Sequence, residues 1–252
     1  MTDMPETTRP PARRRLFLGR LGAAIRRQDW FAVALEVLIV VAGVLIALAV
    51  NDWAAARQAR EVEIQSLREL RTALQHDLED VRVNLQIHRE ASASTAALLA
   101  HLDAGLPYAD SLDAYFGRVP APSFSVRDLS AYETLQQRGL GTITDDSLRL
   151  AIGHLYGVRY EAVSGVQANA SAFTFDKLLD YMYDHFSGTF LQGPLRPDEY
   201  DALMRSRRFR SIAGLAALSG TVLARQYEQT EREIVDLIAA LDAEIARREG
   251  AR

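Results

Sequence analysis

Residues Phe31 to Val50 read FAVALEVLIVVAGVLIALAV. Eighteen of the twenty are apolar, and the others are Glu36 and Gly43. Twenty helical residues span about 30 Å, the thickness of a bilayer's hydrocarbon core. Thirteen of them are Leu, Ile, Val or Phe, each favouring insertion by roughly 0.3–0.6 kcal/mol. One acidic residue at mid-helix opposes this by about 2.5–3.5 kcal/mol, and by less near an end. Glu36 is sixth in the run, about 8 Å deep by helical rise. The run is therefore expected to insert as a transmembrane helix with Glu36 inside it.

The flanks agree. Trp30 and Trp53, the only tryptophans, bracket the run, as interfacial aromatic belts do. Arg9, Arg13, Arg14, Arg15, Arg20, Arg26 and Arg27 precede it, while only Arg57 and Arg60 come soon after it. The positive-inside rule then places residues 1–30 in the cytoplasm as a basic tail, and residues 51–252 outside. The first fifty residues hold seven bases and four acids, net +3. The chain's total of -4 leaves -7 for the remainder, so the acidic part is kept from the anionic inner leaflet. Two other readings compete. Ala47-Leu48-Ala49 resembles a signal-peptide cleavage site, but the apolar run is longer than usual. Arg14-Arg15-Leu16-Phe17-Leu18 resembles a twin-arginine signal, but Arg20, Arg26, Arg27 and Asp29 interrupt the apolar stretch after it. Residues 16–25 also read as a basic amphipathic stretch lying on the inner leaflet.

Composition narrows the chemistry. The 252 residues suffice for a sizeable core. Net charge -4 is the wrong sign for a nucleic-acid binder. There is no cysteine, which excludes disulfides and thiolate chemistry.

The span also carries a resemblance. Leu35, Glu36, Val37, Ile39, Val40, Gly43, Val44, Ile46, Ala47, Val50, Asn51 and Trp53 fit an LE-x-x-x-V-x-x-G-x-x-x-A-x-x-x-N-x-W signature. With Arg57 and Glu61 beyond them on a polar helix, this resembles an uncharacterised family of bacterial single-span membrane proteins. The later Ser130-Ala131-Tyr132-Glu133 through Gly139, with a helix at Leu148, is similar in layout. The resemblance implies topology: a bacterial inner-membrane anchor and a periplasmic domain. It implies no activity.

Beyond the span, residues 53–104 contain no proline or glycine. Leu67, Leu70, Leu74, Leu78, Val81 and Leu85 form one narrow stripe, as in a coiled-coil seam. The helix is expected to continue the span outward as a stalk and to stop at Gly105-Leu106-Pro107. Short helices are expected over 109–116, closed by Gly117, and over 198–205. Pro120 and Pro122 mark a loop. Ser130 and Glu133 form a capping-box pattern for a helix to Arg138, stopped by Gly139.

Thr144 reads as the cap of a second long helix with stripe Leu148, Ile152, Leu155, Ala162, Val166, Phe173, Leu179, Met182 and Phe186. Gly153, Gly157 and Gly165 weaken it. Gly188, Gly193, Pro194 and Pro197 mark the next loop. Ser206 reads as the cap of a third, reaching about Arg248, with stripe Ile212, Leu215, Leu218, Val222, Ile234, Leu237, Leu241 and Ile245. No strand pattern competes. The fold class expected is all-α: a transmembrane helix continuing into a three- to four-helix extracytoplasmic bundle.

Chemistry-bearing residues are few. Glu36 is an ionisable group in a membrane, able to pair with a partner's span. Gly43 and Ala47 form a small-xxx-small pair that permits close helix approach. Asn51, with Trp30 and Trp53, anchors the interfaces. Asp176, Asp180 and Asp184 share a helical face beside His185, and Arg205, Arg207, Arg208 and Arg210 cluster. The five histidines form no metal motif, and His88 continues the first stripe as a core or seam residue. Eight of the eighteen Phe and Tyr fall between Tyr156 and Phe190, as core or as a ligand pocket. No phosphate loop or nucleophile elbow is present. No catalytic residue, cofactor or metal site is expected.

The leading reading is a non-enzymatic interaction or scaffold protein, contacting lipid, a second copy or another envelope protein. A ligand-binding, sensor-like bundle acting through a partner is the alternative. It predicts a pocket lined by Tyr156, Tyr160, Phe173 and Tyr181. A membrane-tethered hydrolase is the third reading, requiring a serine, a histidine and a carboxylate in hydrogen-bond reach.

Overall fold

The computed structural model describes residues 30–124, 127–190 and 193–250. The basic tail, the paired arginines and residues 16–25 lie outside them. The chain divides into two units, Met1–Gln58 and Ala59–Arg252, and the boundary falls within the first helix.

That helix, α1, runs unbroken over Trp30–Asp103. Its N-terminal part holds an 18-residue window of mean hydropathy 2.9, none of it buried. By length and composition this part can cross a membrane. The helix ends where expected, with Gly105 at φ 62°, a left-handed conformation that spares glycine a side-chain clash.

Among the described residues the second unit is all-α apart from one small hairpin. It comprises α2 (Leu112–Arg118), α3 (Ser130–Arg138), a 3-10 turn (Leu140–Thr142) and α4 (Asp146–His154). A π-helical turn, Leu155–Arg159, leads into α5 (Tyr160–Phe173), and a second, Thr174–Leu179, leads into α6 (Asp180–His185). Strands β1 (Phe186–Gly188) and β2 (Leu195–Pro197) pair antiparallel, with Phe186 opposite Pro197. Helices α7 (Tyr200–Arg205) and α8 (Arg207–Gly250) complete the chain. The hairpin corrects the expectation of no strand. Three-residue strands are too short to show an alternating pattern, and the Gly and Pro residues around them read as loop.

Within the second unit α1 and α8 are antiparallel, linked by Arg71–Asp242, Arg82–Glu231 and Arg89–Glu228 at 2.5, 2.7 and 2.6 Å. Both bury a seven-residue repeat, with Ala216 of α8 only half-buried. In α1 the buried positions include 63, 70, 77, 84, 91 and 98, with 67, 74, 81, 88, 95 and 102. In α8 they include Phe209, Leu223, Thr230, Leu237 and Glu244, with Ala213, Gly220, Tyr227, Ile234 and Leu241. A repeat averaging 3.5 residues keeps one line of each helix against its neighbours. The residues α1 contributes are far from uniformly apolar: Glu63, Asp77, Asn84, His88 and Thr95 are among them.

Three local expectations change. On α8, Leu215, Leu218 and Val222 are exposed at 46%, 59% and 37%. The inward face there carries smaller groups because the backbones approach closely. A Cβ on Gly220 would lie 2.5 Å from Ser92 Oγ, and Ser92 donates to the Ala217 carbonyl at 3.1 Å. On the middle helix the π turn through Gly157 adds a residue. The buried row therefore shifts to Tyr156, Tyr160 and Val163, leaving Ala162 exposed. At the caps, Asp145 replaces Thr144, accepting from the Leu148 amide at 3.0 Å. Ser130 begins α3 with its amide on Asp128 Oδ1 at 2.9 Å, so no capping box forms. Ser206 does cap α8, accepting from the Phe209 amide at 3.1 Å.

Candidate functional site

The residues singled out on the apolar segment all lie on α1 and are exposed: Trp30, Glu36, Gly43, Ala47, Asn51 and Trp53. Glu36, Gly43 and Ala47 fall within about 40° of one another around the helix, so one face carries the acid and both small residues. Nothing lies within 4 Å of where a Gly43 Cβ would stand. Arg57 sits over the Trp53 ring at 5.8 Å.

The second unit contains an arrangement the sequence did not announce. Its connecting segment, residues 123–124 and 127–144, lies along α1 and is held there by the polar members of the seam. Glu63 Oε1 accepts from the Thr144 amide at 2.7 Å. Asp77 Oδ1 accepts from the Asp128 amide at 2.7 Å. Asn84 Oδ1 accepts from the Phe124 amide at 2.9 Å. His88 Nε2 meets Ser123 Oγ at 2.8 Å. A loop packed on a helix has amides without ladder partners, and buried amides require acceptors. The α1 side chains supply them, which gives a physical reason for polar residues at inward positions.

Two of these groups are electrostatically unusual. Asp77 is 1% exposed, and Tyr160 donates to its Oδ2 at 2.5 Å. Burial pushes its carboxyl up to about 6, against the lowering effect of these two hydrogen bonds. The same burial pushes the Tyr160 and Tyr156 hydroxyls well up. His88 is 2% exposed and stacks on Tyr227 at 5.7 Å. Burial lowers its imidazole to about 4, so it is neutral at neutral pH. Glu63 accepts in addition from Arg248 at 2.9 Å, and Arg248 also grips the buried Glu244 at 2.6 Å.

His88 and Ser123 border a cavity of about 90 Å³, with Thr95, Phe173, Ser219 and Leu223 on its other walls. His88 Nδ1 is buried and has no hydrogen-bond partner. The histidine and serine a hydrolase needs therefore meet here, but no carboxylate bonds the second imidazole nitrogen, so the Ser–His–carboxylate triad is not assembled.

The expected aromatic pocket does not form. Tyr156 and Tyr160 belong to one core cluster; Tyr156 stacks on Tyr132 at 4.3 Å and meets Tyr160 edge-on at 5.2 Å. Tyr181 is buried in a second cluster with Phe116, Phe186 and Phe209, and Phe173 packs against its edge. Among the described residues no group of His, Asp and Glu is placed to hold a metal ion. Asp180 instead faces Arg208 at 4.0 Å, and Arg208 sits over Tyr181 at 5.3 Å. Arg210 pairs with Asp103 and donates to the Leu102 and Met204 carbonyls.

Sequence reasoning reached His88 as a seam residue. It missed Asp77, Asn84 and Glu63. Their seven-residue spacing with Leu70, Ala91 and Leu98 is the signal that identifies them. Compared with protein-family models, curated proteins and solved structures, the chain matches none.

Proposed function

We propose that the chain is a membrane-anchored helical interaction or scaffold protein of the bacterial cell envelope. Residues 1–30 are the cytoplasmic tail, 31–50 cross the inner membrane, and 51–252 form a periplasmic helical bundle. One observation carries the reading: α1 leaves its apolar segment wholly unburied, with Glu36, Gly43 and Ala47 on one exposed face. An acid beside small residues is a face suited to a second helix, either another copy or a partner span with a basic or hydrogen-bonding group. The resemblance of the span to a single-span family points the same way, and no activity is proposed.

The absence of native cysteine makes the test direct. Ala47→Cys, and Leu45→Cys on the opposite face, are oxidised separately in native membranes. Disulfide-linked dimers, or cross-links to one partner with a bifunctional thiol reagent, form with Ala47→Cys and not with Leu45→Cys. Equal reaction of both variants defeats the reading. An impermeant maleimide added to intact spheroplasts labels Leu218→Cys and not Arg13→Cys if the topology is right.

One observation favours ligand binding as a second reading: the polar cavity beside His88. Of the four aromatics first expected to line a pocket, Phe173 alone borders it.

A further inference from the structure

Glu36 is the only polar side chain between Phe31 and Val50. Among the described residues it forms no hydrogen bond or ion pair. It lies about 8 Å into the run by helical rise. Its two-methylene stem is too short to lift the carboxylate out of the hydrocarbon, as the longer stems of Lys and Arg do. A carboxylate held in lipid is strongly unfavourable unless another group bonds or neutralises it.

A second copy does not supply that group. Copies of one chain insert in the same orientation, so they pair in parallel about a two-fold axis, which sets like residues opposite one another. At the depth of Glu36 such a partner offers only another Glu36. Residues 31–50 hold no Lys, Arg or His, and the nearest base in the sequence, Arg27, is nine positions back, before Trp30. Two facing carboxylates repel, with no water between them to weaken the repulsion. A base at that depth attracts instead.

We propose that the Glu36 face docks a transmembrane helix of a different protein, one bearing a lysine or arginine at the depth of Glu36. The inference rests on the membrane-anchor reading above and narrows its partner. Gly43 and Ala47 lie about two and three turns further along the same face. No atom stands within 4 Å of where a Gly43 Cβ would be. Small residues there let two backbones approach closely. Close approach is what brings a carboxylate on a short stem within reach of a partner's base.

The test uses the full-length protein in the membranes of its own cell. A photoreactive p-benzoylphenylalanine replaces Val40, one turn from Glu36, or Leu38 on the opposite face. After irradiation the linked species are identified by mass spectrometry. The expected result is one species with the probe at Val40 and none with it at Leu38. Its partner segment is a membrane helix with Lys or Arg within one turn of the linked residue. Glu36→Gln, which keeps the size and removes the charge, lowers the yield at least tenfold. Glu36→Lys does the same, and changing the partner's base to Glu restores the yield in that background. A species of twice the chain's mass, a partner helix without a base, an unchanged yield in Glu36→Gln, or no species from either Val40 or a second probe at Val50 overturns the proposal. Self-linkage from Val40 and not Leu38 overturns this inference and leaves the helix-face reading standing. Equal linkage from both positions defeats both.

Discussion

The two parts of α1 treat polar residues in opposite ways. Over residues 31–50 there is one acid among apolar side chains, and nothing is buried within the protein. Over residues 63–102 acids, an amide and an imidazole occupy inward positions, and all are buried. The first part presents apolar surface outward, and its backbone needs nothing beyond its own helix. The second is covered in part by a connecting segment whose amides outside its helical turns, at Phe124, Asp128 and Thr144, need acceptors. Burial alone thus does not decide which residue a helix places inside. The hydrogen-bonding state of what covers it decides too.

The largest expected effect breaks this contrast directly. Asp77→Ala leaves the Asp128 amide and the Tyr160 hydroxyl unpaired. It is expected to cost about 3–5 kcal/mol, read as a lower denaturant midpoint in chemical unfolding. Leu45→Ala in the apolar run leaves the same unfolding transition unchanged. Next is Gly220→Val, whose side chain collides with Ser92. It costs about 1–3 kcal/mol in the same measurement, partly restored by Ser92→Ala.

The pH dependence sharpens the contrast. Asp77 titrates near 6 when folded, above its unfolded value of 3.8. Its neutral form is favoured by folding, so its contribution is full below 3.8 and is lost as pH rises through 6. His88 titrates near 4 when folded, below its unfolded 6.5. Its contribution is full above 6.5 and is lost as pH falls through 4. The two oppose each other between pH 4 and 6, so their joint contribution to stability is expected to be flat there. Asp77→Asn unmasks the histidine, and stability falls towards acid. His88→Asn unmasks the aspartate, and stability rises towards acid. Each slope amounts to on the order of 1–3 kcal/mol across the window, and thermal unfolding at about pH 4, 5 and 6 reads both signs.

The smallest effect is the most diagnostic of helix orientation. Leu218→Ser on the exposed face of α8 changes stability by no more than about 0.5 kcal/mol. Leu237→Ala, in the buried row, costs about 2–5 kcal/mol. A loss at Leu218 as large as that at Leu237 would mean its face is covered.

Several helix ends were legible in the sequence because their signals are local. Gly105 and Gly139 close the helices before them and Ser206 opens α8, each acting on the turn beside it. The row on α8 misled for the opposite reason. Large apolar residues at helical spacing suggest an inner face, but how closely Gly220 approaches Ser92 is a property of two helices far apart in sequence. The π turn at Leu155–Arg159 shifted a register that a fixed period cannot track. The polar seam was hidden because each acid is unremarkable alone, and its partner is a loop amide that no residue type identifies. The cavity was invisible for the same reason: His88 gains meaning only beside Ser123, 35 positions away.

The antiparallel pairing of α1 with α8 also has a consequence in time. The ion pairs Arg82–Glu231 and Arg68–Glu249 join residues 149 and 181 positions apart. A ribosome adding about 5–20 residues per second makes the first half of such a pair wait roughly 10–30 s for the second. The inner line of α1 stands uncovered until residues 123–160 follow, and the side that receives α8 stays open through the whole interval. Carboxylates at positions 63 and 77, an amide at 84 and an imidazole at 88 break that line into short apolar stretches, so the nascent helix offers passing chains little continuous surface on which to aggregate.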